Sequence, residues 1–303
     1  MASGLVGRLA TGMGRTLATA VCIAALAGAS CPSTGSQGDA ARSDTRLQLA
    51  KDYLSKNQLE AAQAEADKAI AYQPTNDEAY NVRGIVHMLR GLSAQRSIEI
   101  DSCLTGLDAE AMRQEQDGEL AAARADFDKA THLAPDFGEA WSNLGATENL
   151  IGDADRAVPA LETALANASR LVNPALTRAH LGWAHFHRQN YVGAFKELRQ
   201  ALQFQTGMCV ATYRLGRVYF AREEWEKAAE QFQDVSEQPS CASQEAALYL
   251  MKARLHLNLT EDARTARDAC LRLSPASCAA VECRTLGAGL DRSATAGGRQ
   301  GTP

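Results

Sequence analysis

Three segments of the chain open on the same dipeptide and hold one register afterwards. They read LGATENLIGDADRAVPALETAL from Leu144, LGWAHFHRQNYVGAFKELRQAL from Leu181 and LGRVYFAREEWEKAAEQFQDV from Leu215. An alanine stands twelve residues beyond each glycine (Ala157, Ala194, Ala228), and a large apolar residue follows four later (Leu161, Leu198, Phe232). Gly182 and Gly216 are 34 residues apart. A fixed period of this size predicts stacked copies of one small unit, each too small to bury its own apolar face. Within a unit the apolar residues recur at helical spacing, which predicts two helices of roughly 13 residues joined by a short polar turn. Glycine inside a helix costs about 1 kcal/mol against alanine. That recurring cost is offset only where two helix axes must approach closely. Gly145, Gly182 and Gly216 are therefore expected to be structural, facing Ala157, Ala194 and Ala228 across a helix crossing. A phosphate-binding loop is excluded, because no strand precedes these glycines and their spacing is wrong for one.

The pattern Trp141, Leu144, Gly145, Ala157, Leu161, Ala164 resembles the tetratricopeptide repeat family. Arg178, Leu181, Gly182, Ala194, Leu198, Ala201 and then Thr212, Leu215, Gly216, Tyr219, Ala228, Phe232 repeat it. The resemblance implies an all-α right-handed superhelix, an α-solenoid. Ala50, Tyr53, Ala62, Ala66, Ala69 and Pro74 mark a first unit, and Met251, Ala263, Cys270 and Pro275 a degenerate last one. About six repeats then fill residues 44–285. The second is enlarged: Pro74 and Pro135 are 61 residues apart, 27 beyond one period. The surplus falls at 92–117. It reads equally as a loop that touches a partner or as a helical extension, since AEAMRQEQ is made of good helix formers.

Composition agrees with this fold class. Alanine is abundant and the aromatics sparse, a mixture that favours closely packed helices over sheet. The net charge is -5, from 31 basic and 36 acidic residues, with no basic stripe, so nucleic acid is not an expected partner. HLGWAHFH, spanning His180 to His187, contains no HExxH, and the chain offers neither a nucleophile elbow nor a phosphate loop. The expectation is a non-enzymatic protein with no cofactor and no metal.

The N-terminus carries Arg8 and Arg15, then the apolar run LATAVCIAALAG, with no acidic residue before Asp39. Residues 1–30 read as a secretory signal peptide, too short in its apolar part for a membrane span. The small residues before Cys31 resemble a bacterial lipoprotein signal, which implies lipidation of Cys31. Plain cleavage after Ala29 is the competing reading. Neither Pro32 nor Ser33 is the aspartate that retains such lipoproteins at the inner membrane. The resemblance thus implies the periplasmic face of the outer membrane, the alternative being a soluble periplasmic protein. Residues 31–43 are expected to form a flexible tether, and 286–303, rich in Gly, Ala and Ser, a disordered tail.

Export would place six cysteines in an oxidising space. Cys209 starts the first helix of one unit and Cys241 follows its second, so antiparallel packing predicts a Cys209–Cys241 disulfide. Cys270 is expected to pair with Cys283, with Cys278 as the open alternative, and Cys103 stays unassigned. Zinc is disfavoured by the irregular spacing.

Ligands of the repeat family commonly lie against the concave first helices. Carried over by position, this implies a partner-binding face of Trp183, Phe186, His187, Tyr213, Arg217 and Phe220, with Asn149 and Met88 further along. Aromatic and arginine anchors suit capture of a peptide segment. The competing reading is that some of them pack against the next repeat. A lipid anchor, a tether and six such repeats together resemble the pilotin lipoproteins of type IV pili, which implies a secretin subunit as partner. The alternatives are a scaffold for outer-membrane-protein assembly or a tight-adherence pilus, or a periplasmic peptide-binding module.

Overall fold

A computed structural model describes residues 34–241 and 243–297. All regular structure among them is helical. The helices are α1 (Thr34–Ser55), α2 (Leu59–Tyr72), α3 (Asp77–Arg96), α4 (Gly106–Leu133), α5 (Gly138–Ile151), α6 (Ala154–Ala166), α7 (Pro174–His187), α8 (Tyr191–Phe204), α9 (Cys209–Ala221), α10 (Trp225–Glu237), α11 (Gln244–His256), α12 (Thr260–Leu273) and α13 (Cys278–Gly297). α1 to α12 form six antiparallel pairs, each packed on the next, and α13 closes the end against α11 and α12. The result is a right-handed helical-repeat solenoid.

The glycines sit where the paired helices cross. A Cβ at Gly182 would lie 2.7 Å from Leu198 Cγ and 3.1 Å from the Ala194 carbonyl, and one at Gly216 would lie 2.6 Å from the Phe232 ring. At Gly145 the obstacles are Leu161 and the Ala157 carbonyl. Ala157 and Ala194 bring their backbone carbonyls to the glycine, while in all three repeats the large residue four positions beyond the alanine lies over it. Gly84 meets Phe127 in the same way at 2.7 Å, so the second repeat keeps the crossing despite its surplus. The core follows this seam: Ala157, Leu161, Ala194, Leu198, Ala228 and Phe232 are all 0% exposed. Asn76, Asp153, Asn173, Asn190 and Ser243 each cap the helix that follows by accepting a backbone N–H.

Three expectations need correction or completion. The 27-residue surplus is a helical extension: α3 runs 20 residues and α4 28, joined by a π-helical turn at Ser97–Asp101 and a short link. The tether is not a coil over 34–43, because α1 already begins at Thr34. Ser43 is fully buried, donates to the Ala69 carbonyl at 2.8 Å and accepts from Asn76 Nδ2 at 2.9 Å, so this stretch is fixed to α2 and α3. The tail expected to be disordered from 286 is helical to Gly297. Ala280, Cys283, Gly287 and Leu290 are buried at spacings of three and four, one helical face that the low-complexity composition masked. The signal peptide and Cys31 lie outside the described residues.

Candidate functional site

The first helices α7, α9 and α11 run side by side and gather a continuous set of half-buried aromatic rings. Trp183 and Phe186 on α7 stack at 4.8 Å, with the His187 ring edge-on to Trp183 at 4.7 Å. From α9, the Arg217 guanidinium lies 5.5 Å from both of those rings and 4.0 Å from Tyr249 of α11, and donates to the Tyr213 hydroxyl at 2.9 Å. Phe220 stands edge-on to Tyr249 at 5.3 Å and to Trp225 at 4.8 Å, and Trp225 stacks on His256 at 3.9 Å. An unbroken aromatic strip thus crosses three repeats, with cations set among the rings at distances where ring faces attract them.

The electrostatics of this strip are one-sided. Arg214 reaches the Trp183 ring at 5.4 Å and donates to the Ala179 carbonyl at 2.9 Å. Its Nη1 is 3.4 Å from His180 Nδ1. Burial pushes the His180 imidazole down to about 3, with the Arg214 charge adding to it, so that ring is a neutral acceptor. Burial also lowers Arg214 to about 10, still charged near neutrality. His187 is solvent-exposed on one side, but the packing of its other side against the strip lowers it, and Arg217 and Arg214 add to the effect. The Tyr213 phenol is pushed up by burial and by Glu245. Among the described residues no carboxylate pairs with Arg214 or Arg217. By contrast Arg83, Arg124, Arg156, Arg170 and Arg178 all hold acidic partners.

Trp183, Phe186, His187, Tyr213, Arg217 and Phe220 are thus brought together, with all but the exposed His187 half-buried. Asn149 and Met88 are not part of the strip. Asn149 Nδ2 donates to the His180 carbonyl at 3.0 Å, tying α5 to α7, and Met88 packs on the buried cluster around Phe127 and Leu144. Tyr249, Lys252, His256, Trp225 and Arg214 join the strip and were missed. The last repeat has Met251 where the others have glycine, so its register was not followed. Counting from that residue puts Lys252 level with Trp183 and Arg217.

The six remaining cysteines form three disulfides: Cys209–Cys241, Cys270–Cys283 and Cys103–Cys278. Among the described residues no group of three or more His, Cys, Asp or Glu could hold a metal ion, and no helix is long and apolar enough to cross a membrane.

The sequence matches the tetratricopeptide repeat family model over residues 47–95, 109–170 and 151–207, with a break at the lengthened hairpin tip. Among solved structures, the fold is shared with PilW, described as a widely conserved type IV pilus biogenesis factor. That likeness has 18% identity, covers 78% of this chain and 96% of that one, and has a TM-score of 0.61. Pseudomonas aeruginosa pilF is likewise similar at 14% identity, over 82% of this chain and 99% of that one, with a TM-score of 0.59. At these identities the likeness is one of fold. No curated protein matches the sequence.

Proposed function

We propose, from the premise that this chain is a tetratricopeptide-repeat, all-helical and non-enzymatic solenoid, that it holds a segment of a cell-envelope protein against its concave strip. The observation that carries this reading is the pair Arg214 and Arg217, set among aromatic rings with no carboxylate of their own. A partner segment would bury its apolar side chains on Trp183, Phe186 and Phe220. It would also present an acidic group or backbone carbonyls to the guanidinium fork. The leader and Cys31 support a lipid-anchored site on the periplasmic face of the outer membrane. The shape likeness to two pilus proteins supports a secretin subunit as the segment's source, with this chain acting as its assembly factor.

The test is crosslinked capture from detergent-solubilised envelope, quantified against wild type. A hot-spot aromatic contributes about 2 kcal/mol or more on truncation, roughly a thirtyfold loss of affinity. Trp183→Ala combined with Arg217→Ala should lose at least that much while keeping its helical signal. A control with Glu226→Ala and Glu230→Ala, on the exposed side of α10, should bind as wild type. Wild-type capture by the concave variant with loss in the control would move the site to the other face.

The anchor is tested separately. Cys31→Ser should release the protein from membranes and remove acyl mass from its N-terminus. An unacylated mature wild type in intact-mass analysis would refute the lipid anchor and leave the concave site standing.

A further inference from the structure

The lengthened second hairpin does not end in solvent. Its tip reaches the far end of the solenoid, where Cys103 is bonded to Cys278 at the start of α13, 175 residues away, with their Cα atoms 4.5 Å apart. The covalent loop so formed contains α4 to α12, and with them the whole aromatic strip. An open solenoid touches only neighbouring repeats, so this bond converts an arc into a closed ring.

Little else holds the ring shut. Among the described residues one further hydrogen bond joins the two ends, from Ser274 Oγ to the Ile100 carbonyl at 2.8 Å. A cavity of about 640 Å³ remains between them, walled by Ile98, Ile100, Arg113, Gln244 and Leu273. Ile100 is 44% exposed beside it. Cys103 has a φ of 40°, a left-handed conformation that strains an L residue other than glycine. Both cysteines of this bond are half-buried, whereas Cys270 and Cys283 are fully buried, and in the third pair only Cys209 is half-buried while Cys241 is nearly buried. Exposed or strained disulfides are the ones that thiols attack.

We propose that Cys103–Cys278 is a thiol-operated latch that sets how far the concave face is open. A dithiol reductant attacks one sulfur to give a mixed disulfide. Its second thiol then displaces the protein cysteine. Cys103 and Cys278 leave as thiols, and the reductant leaves as a disulfide with two electrons fewer. The tip then parts from the last repeat and the arc widens. The link from opening to partner capture rests on the concave binding role proposed above; the opening itself does not.

Graded dithiothreitol with alkylation and peptide mass mapping gives the order of reduction. Cys103 and Cys278 should be modified at the lowest concentration, and earlier opening of either other pair would overturn the latch. The full-length variant carrying Cys103→Ser and Cys278→Ser should show a larger radius of gyration in X-ray scattering. Its amide exchange should be faster over residues 97–105 and 278–284. Scattering and exchange identical to oxidised wild type would equally overturn it. If the variant fails to fold, the same two measurements on wild type reduced only at this pair decide the matter. Opening without envelope capture by either form leaves the latch standing and removes the binding role.

Discussion

Gly182→Leu should lower the thermal midpoint of the whole solenoid by roughly 6–12 °C, which corresponds to about 3 kcal/mol in a domain of this size. The first added carbon already falls 2.7 Å from Leu198 Cγ and 3.1 Å from the Ala194 carbonyl, and the rest of the leucine has nowhere to go while α7 and α8 stay crossed. Leucine's better helix propensity recovers about 1 kcal/mol, too little to compensate. The injury lies in the fourth of six pairs, so it weakens the stacking of α7 on both α6 and α9 and divides the solenoid in the middle. Gly182→Ala should be milder but still destabilising, since its single added carbon meets the Cγ of fully buried Leu198 and the Ala194 carbonyl, and nothing larger follows it. Circular dichroism melts of the three proteins check the prediction, and a leucine variant that melts with wild type would refute the placement of the helix crossing.

A comparable loss is expected from Glu148→Ala. Glu148 on α5 is 0% exposed, bonded to Arg124 on α4 and placed 3.0 Å from Arg156 Nε on α6, so one carboxylate holds three consecutive helices. Removing one partner of a buried ion pair strands the other charges and typically costs 3–5 kcal/mol. Arg124 and Arg156 keep 28% and 48% of their side chains exposed and can turn partly to water, so about 2–4 kcal/mol is expected here. Glu148→Gln retains hydrogen-bond acceptance without the charge and should lose roughly half of that. Urea titration gives both values. Equal stability of the alanine variant and wild type would mean that the three helices are held by apolar packing alone.

The repeats were legible because glycine, alanine and a large apolar residue stand at fixed offsets, and the reason for those offsets is local: two helices cross there. Glu148 was not legible, since a glutamate in a helix reads as solvated until the neighbouring arginines are placed around it. Gly138 was also passed over, although a Cβ there would press against the carbonyls of Asn167, Ala164 and Arg170. It precedes the motif, and its obstacles lie at the C-terminal end of α6 and in the linker that follows. The continuation of α13 past residue 286 was hidden by its Gly and Ala content. The concave strip was half legible: Trp183, Phe186, Tyr213, Arg217 and Phe220 followed from their register, whereas Tyr249 and His256 sit in a repeat with no Leu-Gly marker. Cys209–Cys241 could be expected because its cysteines flank one helix pair, but nothing local connects Cys103 to Cys278.

That last bond also bears on how the molecule is made. If the chain is exported as proposed above, Cys103 emerges long before Cys278, and Cys209 is the first cysteine to follow it. An oxidase that joins cysteines as they appear would couple those two and leave Cys241 without its native mate. The bond from Cys103 also interleaves with Cys270–Cys283, so sequential pairing cannot produce the native set. On that route maturation calls for a disulfide isomerase, and the yield in an exporting host should fall when isomerase is withdrawn while oxidase remains.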